Sequence, residues 1–341
     1  MKAVVFRQHG GPEVLEYADV PEPAVSAGQA LVRVKACALN HLDLWIRQGI
    51  PAYRIALPHI SGCDVAGIVE RVGHGVTSLR AGARVVLMPG LSCGACDACR
   101  AGVDNRCVSY GIRGAATDGG YAEFVVAEAR DAYPLPDAVG FEEAAAFPLV
   151  FLTAWHMLVT RAGLRAGETV LVQAAGSGVG HAAVQIAKHH GARVIATVGS
   201  DDKIAKASAL GADAVIQHER EDIQSVVGQL AGPAGVQVVF EHVGPATFER
   251  SLKALAKGGR LVICGATSGP TTPLDLRYVF SRELTILGSM MGTRREFETL
   301  LPLLGTRLHP VVDTVFPLKE ARAAQERMAR RAVFGKLVLA P

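Results

Sequence analysis

Four cysteines lie close together in the stretch "SCGACDACRAGVDNRC" of this 341-residue chain. Cysteine thiolates are preferred ligands of structural zinc, and C-x2-C steps let one tight loop supply several of them. Their neighbours are small or polar, which argues against four unrelated core residues, although an iron–sulfur cluster would also use four cysteines. Four thiolates complete the tetrahedral sphere of zinc and leave no position for a substrate. We therefore predict one structural Zn²⁺ per chain, bound by Cys93, Cys96, Cys99 and Cys107.

A glycine-rich segment, "AAGSGVGHAAVQIAKHHGA", follows an apolar run and opens a helical pattern. Glycines at such a junction permit a tight turn, and they let a pyrophosphate approach main-chain N–H groups at the start of the helix. The letters alone are weak evidence, because a flexible loop has the same composition, but their place between a strand and a helix is specific. We predict that a dinucleotide binds at Gly176, Ser177, Gly178, Val179 and Gly180.

The choice between NADH and NADPH depends on the end of the next predicted strand, "RVIATVGSDDK". Enzymes that use NAD place an acidic residue there to bind the ribose hydroxyls, but here the strand ends at Val198. Asp201 and Asp202 follow, and they fit better as acids in the first turn of a helix that Ser200 caps. Ser200 and Lys203 are candidates for binding a 2′-phosphate. The predicted cofactor is NADPH, and NADH is the less favoured alternative.

Two kinds of secondary structure must position these groups. Residues 1–150 are rich in Gly, Pro and short β-branched runs such as "ALVRVKACAL", which is typical of a compact, mostly antiparallel β domain. From Thr169 onwards, six apolar strands alternate with helical segments, which predicts a parallel sheet with right-handed crossovers over 151–289. The tail, 290–341, has too few elements for a domain of its own. We predict that it completes the first domain, in which residues of about 90–110 form the zinc lobe.

Composition and charge argue against several classes of function. The formal net charge is only +3, and no block of like charges stands out, so neither a nucleic-acid surface nor a membrane surface is expected. The opening "MKAVVFRQHGG" contains an apolar run that is too short for a signal peptide. An odd cysteine count without an export signal indicates reduced thiols in the cytoplasm. The expected partner is a small-molecule substrate.

The chain resembles the medium-chain dehydrogenase/reductase superfamily over essentially its full length. The resemblance depends on "GCDVAGIVERVG", the cysteine stretch, "AAGSGVG", "GGRLVICG" and "FGKLVL". It implies an α/β protein in which a GroES-like catalytic domain is interrupted by a Rossmann domain with a doubly wound parallel sheet, assembled as a homodimer or homotetramer. It also implies that the cysteine stretch is the family's structural zinc lobe and that His41, Gly265 and Ser289 contact the cofactor.

The sequence departs from the zinc alcohol dehydrogenases of this superfamily at their catalytic zinc. Asn40 stands where they have the first ligand, a cysteine, and Leu149 stands where they have the last. Their "GHE" ligand motif reads "GCD" at 62–64, and Leu42 and Trp45 replace their proton-relay residues. A zinc ion with three protein ligands and one open position is therefore not expected.

A rearranged second zinc site remains an alternative, because Cys63, Asp64, His41 and His59 are all chemically able to bind zinc. In the favoured interpretation, Cys63 is a packed thiol and the two histidines are surface groups or face phosphate.

The N-x-x-D arrangement of Asn40 and Asp43 is similar to the quinone and enone reductases of the superfamily, which work without a catalytic metal. Hydride delivery to an activated C=C bond or a quinone gives a delocalised anion that hydrogen bonds alone can stabilise. The resemblance assigns that hydrogen bond to Asn40, loop orientation to Asp43 and a candidate proton source to Tyr53. We therefore predict an NADPH-dependent reductase of quinones, enones or activated carbonyls. The alternatives are a zinc-dependent alcohol or aldehyde dehydrogenase and, more remotely, a non-enzymatic nucleotide-binding protein.

Overall fold

The structure, a computed structural model, describes residues 1–51 and 54–341. It contains two compact units. The first is formed by Met1–Leu149 together with Thr293–Pro341, and the second by Val150–Gly292. Each unit has a buried apolar cluster of its own. The chain thus leaves the first unit, builds the second, and then returns to the first.

The strands are β1 (Lys2–Val5), β2 (Glu16–Asp19), β3 (Gln29–Ala38), β4 (Asp64–Val72), β5 (Arg84–Leu87), β6 (Gly90–Leu91), β7 (Gly111–Ile112), β8 (Phe124–Glu128), β9 (Ala132–Pro134), β10 (Thr169–Val172), β11 (Arg193–Val198), β12 (Ala214–Gln217), β13 (Val236–Glu241), β14 (Leu255–Ile263), β15 (Thr285–Gly288), β16 (Val312–Pro317) and β17 (Lys336–Ala340).

The α-helices are α1 (His41–Gln48), α2 (Asp97–Arg100), α3 (Phe141–Ala145), α4 (Pro148–Trp155), α5 (Gly178–His189), α6 (Ile204–Ala209), α7 (Ile223–Ala231), α8 (Pro245–Ala254), α9 (Leu276–Ser281), α10 (Arg294–Leu300) and α11 (Ala321–Ala329). A π-helical segment, His156–Arg161, continues α4. Short 3-10 turns are formed by Pro12–Val14, Asp104–Arg106, Ala129–Asp131, Asp201–Lys203, Leu301–Leu303 and Leu318–Glu320.

The first unit is built on a seven-stranded sheet in the order β16-β17-β3-β4-β5-β9, with β8 also paired to β3. All of its strand pairs are antiparallel except β16 with β17. In β3, Arg33 and Lys35 are exposed while Val32 and Val34 are buried, as expected for a strand that covers a core with one face. The pairing of β17 with the end of β3 brings a distant part of the chain next to the start of α1.

The second unit is built on a six-stranded, fully parallel sheet in the order β12-β11-β10-β13-β14-β15. The first strand in sequence, β10, lies in the middle, so the crossovers run outward in both directions. This is the strand order of a Rossmann fold, which binds dinucleotides where the order reverses, here between β10 and β13. The predicted combination of a mostly antiparallel β unit with a doubly wound parallel unit is confirmed. Within the described ranges, no helix combines the length and apolarity that a membrane span requires.

Candidate functional site

The cysteine lobe, residues 90–112, is closed at its base by the pairing of β6 with β7. Between these strands, the loop before α2, α2 itself and the residue after the turn Asp104–Arg106 present four sulfurs that all lie within 4.8 Å of one another. The Sγ atoms of Cys96 and Cys99 are 3.5 Å apart, and those of Cys93 and Cys99 are 3.9 Å apart. Tetrahedral zinc with Zn–S bonds near 2.3 Å would place its sulfurs about 3.8 Å apart. The lobe therefore fits a zinc ion, as its spacing predicted.

Main-chain N–H groups point at these sulfurs. Cys93 Sγ accepts from the N–H groups of Ala95 and Cys96, at 3.4 and 3.3 Å. Cys107 Sγ accepts from the N–H of Cys93 at 3.3 Å, and this contact is the largest of the causes that lower the pKa of Cys107 to about 6. This donor favours the thiolate form of Cys107, which is the form that zinc requires. With four thiolates present, no coordination position remains for a substrate.

Two arginines of the first unit hold the lobe in place. Arg130 donates to the carbonyl oxygen of Ser92 at 2.6 Å. The main-chain N–H of Arg294 donates to Asp104 at 3.0 Å, and its guanidinium forms a 2.5 Å ion pair with Asp131. The lobe is therefore linked to the turn Ala129–Asp131 and to α10 by directed polar contacts as well as by the chain itself.

Asp43, in the first turn of α1, is a buried carboxylate that fixes the start of this helix. Its Oδ2 accepts from the Asn40 N–H at 2.8 Å and from the Tyr121 hydroxyl at 2.9 Å. Burial raises the pKa of Asp43 to about 6, although these hydrogen bonds oppose the shift. The contacts are those of a residue that orients the loop before α1. Its partner Tyr121, fully buried, was not found by sequence analysis.

Asn40, Cys63, Asp64 and Lys336 form a buried polar group in the first unit, here called the Asn40 cluster. The Asn40 amide nitrogen donates to Asp64 Oδ2 at 2.8 Å and to Cys63 Sγ at 3.2 Å. Its amide oxygen accepts from Lys336 Nζ at 2.6 Å, and the same ammonium lies 3.1 Å from Asp64 Oδ2. The other Asp64 oxygen accepts from the Leu149 N–H at 2.9 Å. The amide hydrogens of Asn40 thus have acceptors within the protein.

The residues at the expected catalytic zinc position do not fit that ion. Burial, reinforced by the charges of Asp64 and Asp43, raises the pKa of Cys63 well above its usual value, which disfavours the thiolate that zinc would require. Asn40 presents an amide, and Leu149 contributes only its main-chain N–H. A positive charge, the ammonium of Lys336, already lies against the carboxylate.

The two histidines of the alternative zinc set are engaged elsewhere. His41 packs edge-on against Trp45, with ring centroids 5.1 Å apart. His59 is buried rather than on the surface, and its Nε2 lies 2.9 Å from the carbonyl oxygen of Gly114. Across residues 1–51 and 54–341, the cysteine lobe is the only group of three or more His, Cys, Asp or Glu side chains gathered closely enough for a metal. Tyr53, the candidate proton source, lies outside the described residues.

The glycine-rich loop joins β10 to α5, with Ser177 at the N-cap of the helix. Ser177 Oγ accepts from the N–H of Gly180 at 2.9 Å. A Cβ atom at Gly180 would lie 2.3 Å from the carbonyl oxygen of Ala174, so no larger residue fits there without movement. Ser177 also contacts Nε2 of His242, at the end of β13, a residue that sequence analysis did not single out. Gly176 precedes this N-cap, and Gly178 and Val179 begin the helix, whose N-terminal dipole suits a pyrophosphate.

The end of β11 carries no acidic residue, since the strand ends at the buried Val198. Ser200 occupies the N-cap position of the following 3-10 turn, but its side chain makes no capping hydrogen bond. Instead its hydroxyl contacts Asp202, which lowers the pKa of that carboxyl. Asp201 forms an exposed 2.7 Å ion pair with Arg220, a nearby cation that sequence analysis missed.

The remaining predicted cofactor contacts also follow strands of the parallel sheet. Lys203 ends the 3-10 turn after β11, Gly265 follows β14, and Ser289 follows β15. The carboxyl ends of parallel strands share one edge of the sheet, so these residues lie on the edge from which the glycine-rich loop emerges. The Ser289 N–H donates to the carbonyl oxygen of Ile263 at 2.9 Å.

Comparison with known proteins agrees with this architecture. The sequence profile "Alcohol dehydrogenase GroES-like domain" matches residues 26–137, and "Zinc-binding dehydrogenase" matches residues 178–306. The chain is 32% identical to quinone oxidoreductase of Rattus norvegicus, with 99% of this chain and 97% of the relative covered. It is 34% identical to an alcohol dehydrogenase of Geobacillus stearothermophilus, with 99% of each covered. A solved structure described as an NAD-dependent alcohol dehydrogenase shares 48% identity and a TM-score of 0.97, with both chains fully covered.

A GroES-like unit combined with a Rossmann unit, together with relatives that are named as oxidoreductases, defines a two-domain oxidoreductase. The chain belongs to the medium-chain dehydrogenase/reductase superfamily. The resemblance noted in the sequence is therefore confirmed at the level of the family.

Proposed function

We propose that this oxidoreductase uses NADPH to reduce quinones, enones or activated carbonyls and that it works without a catalytic zinc. The observation that carries the proposal is the Asn40 cluster. The positions that the resemblance assigns to zinc ligands are joined by hydrogen bonds between an amide, a thiol and a carboxylate, and they enclose a buried ammonium. The similarity to quinone oxidoreductases adds support.

The role of Asn40 follows from the unequal strengths of its two side-chain acceptors. Its contact with the Asp64 carboxylate at 2.8 Å is charge-assisted, whereas a thiol sulfur at 3.2 Å is a weak acceptor. If the Asn40 amide gives up its hydrogen bond to Cys63 and donates to an oxygen of the substrate instead, little binding free energy is lost. The amide would then stabilise the delocalised enolate or phenolate that forms on hydride transfer, which needs no Lewis acid.

The second unit is proposed to hold the cofactor, which when bound supplies the hydride. The pyrophosphate would lie at the N-terminus of α5, where the Gly180 position leaves no room for a side chain. Gly180→Ala should weaken NADPH binding at least about tenfold, because the loop must shift away from Ala174. Gly228→Ala in α7 is the matched control, since a Cβ there meets nothing within 4 Å. Equal NADPH affinities for the two variants in a fluorescence titration would contradict the proposed site.

The preference for NADPH is proposed because β11 ends without an acid and because Ser200, Lys203 and Arg220 lie just beyond it. NADPH should bind at least about tenfold more tightly than NADH, and Lys203→Ala should reduce that ratio. A similar solved structure is described as an NAD-dependent alcohol dehydrogenase, so a preference for NADH is the competing expectation. Equal or reversed dissociation constants for the two cofactors would reject the NADPH assignment.

The reaction is tested by following NADPH oxidation with a panel of quinones, enones and simple aldehydes, alongside ethanol oxidation with NADP⁺ or NAD⁺. We expect turnover with the activated acceptors and negligible ethanol oxidation.

A zinc-dependent alcohol or aldehyde dehydrogenase is the second candidate, favoured by the similarity to alcohol dehydrogenases and by the adjacent Cys63 and Asp64. Alcohol turnover that a chelator abolishes would establish that candidate. Nucleotide binding without turnover on any acceptor would instead indicate a non-enzymatic protein.

A homodimer or homotetramer is proposed, with a second copy covering the edge of the parallel sheet. Strand β15 lies at that edge, and apolar side chains of Leu276, Phe280, Ile286 and Met290 are exposed in and around it. Phe280→Glu should lower the mass measured by light scattering, whereas Val108→Glu, at an exposed apolar residue of the cysteine lobe, should not. A monomeric wild-type chain would contradict the proposal.

The seven free cysteines support the further proposal of a cytoplasmic enzyme.

A further inference from the structure

Lys336 is a lysine whose side chain is only 2% exposed, at the first residue of β17. Lysine is rarely buried unless its charge is compensated. Here its ammonium contacts the amide oxygen of Asn40 at 2.6 Å and Asp64 Oδ2 at 3.1 Å. The chain therefore places one buried cation and one buried anion side by side, at the position where zinc-dependent relatives would carry a metal.

The ammonium also determines which way the Asn40 amide points. An ammonium has only N–H donors, so it requires the amide oxygen to face it. The amide nitrogen must then face Asp64 and Cys63, as observed. With the amide reversed, its NH2 group would oppose the ammonium, and its oxygen would oppose the carboxylate. Lys336 thus makes one of the two amide orientations strongly favoured.

Charge counting shows why a divalent ion does not belong in this arrangement. Asp64 contributes one negative charge and Lys336, 3.1 Å from it, contributes one positive charge, so this buried pair is already balanced. A divalent cation added beside the ammonium would be repelled by it and would have to displace it from Asp64.

We propose that Lys336 is a positioning residue whose ammonium takes the place of the metal charge at the Asn40 cluster, so that it orients Asn40 for the reaction and excludes a divalent ion. The proposal rests on the metal-independent function proposed above and deepens it. In this proposal, two features distinguish the Asn40 cluster from a catalytic zinc site. The zinc ligands are replaced, and the charge of Lys336 opposes a divalent ion.

The test compares wild-type protein with Lys336→Met, Lys336→Arg and the double variant Lys336→Met/Asp64→Asn. Each full-length protein is dialysed against Co²⁺, and bound cobalt per chain is measured together with its visible absorption. NADPH affinity and NADPH-linked turnover with a quinone are measured on the same samples. Lys336→Met alone leaves the buried charge of Asp64 unpaired and could prevent folding. The double variant removes both charges, so it can still be measured if the single variant does not fold.

We expect wild-type protein to bind one cobalt ion per chain, with the spectrum of a four-thiolate site. Lys336→Met should bind a second ion, because Asp64, Cys63 and the freed Asn40 oxygen then carry an uncompensated negative charge. Its turnover should fall about tenfold or more while NADPH affinity stays unchanged. Lys336→Arg keeps the charge, so it should bind one ion and retain more turnover than Lys336→Met. The double variant should fold, bind one ion and show the same loss of turnover.

The proposal is overturned if Lys336→Met binds one ion and keeps wild-type turnover, or if Lys336→Arg gains a second ion as readily as Lys336→Met. If Lys336→Met does not fold, wild-type turnover in the double variant overturns it. A failure of the proposed function has a different signature. In that case wild-type protein reduces none of the acceptors, while the cobalt counts still distinguish the Lys336 variants.

Discussion

The cysteine lobe and the Asn40 cluster belong to the same unit, and both lie where zinc alcohol dehydrogenases of the family are expected to bind zinc. In the lobe, four sulfurs converge within 4.8 Å, and main-chain N–H groups lower the pKa of Cys96 and Cys107. In the Asn40 cluster, an amide and a carboxylate contact an ammonium, and the thiol of Cys63 accepts from the same amide. The difference teaches that two positions of one unit can offer a metal ion very different donor sets. The donor atoms and the charges beside them set how well each position suits a metal.

The largest effect is expected from breaking the lobe. Cys96→Ser removes one of four thiolates, and zinc binding contributes directly to the folding of a loop that lacks an apolar core. The melting temperature should fall by about 10 °C or more, and zinc content should drop well below one ion per chain. Turnover per folded, cofactor-binding chain should stay close to normal. Calorimetry, elemental analysis and single-turnover kinetics provide the three measurements.

The matched control is Cys264→Ser, which changes a cysteine outside the lobe and should leave zinc content at one ion per chain. A well-folded Cys96→Ser protein that binds NADPH but no longer transfers hydride would show that the lobe takes part in the chemistry. Two zinc ions per wild-type chain would contradict the proposal that only the lobe binds zinc, because the second ion would have to lie outside the lobe.

The opposite pattern is expected from Asn40→Ala. Turnover with a quinone should fall by up to about a hundredfold, the range seen when one donor to a developing oxyanion is lost. Zinc content should be unchanged, because none of the four sulfurs depends on this amide. Steady-state kinetics and elemental analysis of the same preparation give both values. Wild-type turnover in a variant that binds NADPH normally would remove Asn40 from the mechanism.

The smallest effect concerns the buried carboxyl of Asp43, whose pKa rises from 3.8 to about 6 on folding. Between these two values the folded protein holds a proton that the unfolded chain has released, so the free energy of unfolding falls as pH rises through this window. Asp43→Asn lacks this proton and should therefore gain stability relative to wild type as pH is raised from 5 to 8, by about 1 to 2 kcal/mol. Urea unfolding at both pH values measures the difference, and Asp19→Asn, at an exposed carboxyl, serves as control. Parallel pH profiles for wild type and Asp43→Asn would show that the carboxyl is not desolvated.

Sequence analysis succeeded where the chemistry is local. The spacing of the cysteines and the glycine loop before α5 each occupy a short stretch, and each strand and helix of the parallel unit is a run of neighbouring residues; all were recovered in the structure. It missed contacts between distant segments. Lys336 lies 296 residues from Asn40, and Tyr121 lies 78 residues from Asp43. The motif "FGKLVL" pointed to the family, but nothing within it indicates that its lysine reaches back to α1.

That long reach has a consequence for biosynthesis. Strand β17 pairs with β3 and carries Lys336 into the first unit, yet it is translated only after the whole of the second unit, Val150–Gly292. The nascent chain can therefore close the Rossmann unit while Asp64 still lacks its counter-ion and the end of β3 lacks its pairing with β17. The first unit to begin synthesis is thus the last to finish folding. A ribosome that stalls within residues 293–335 would display a completed nucleotide-binding unit beside an open sheet, a target for chaperones and proteases.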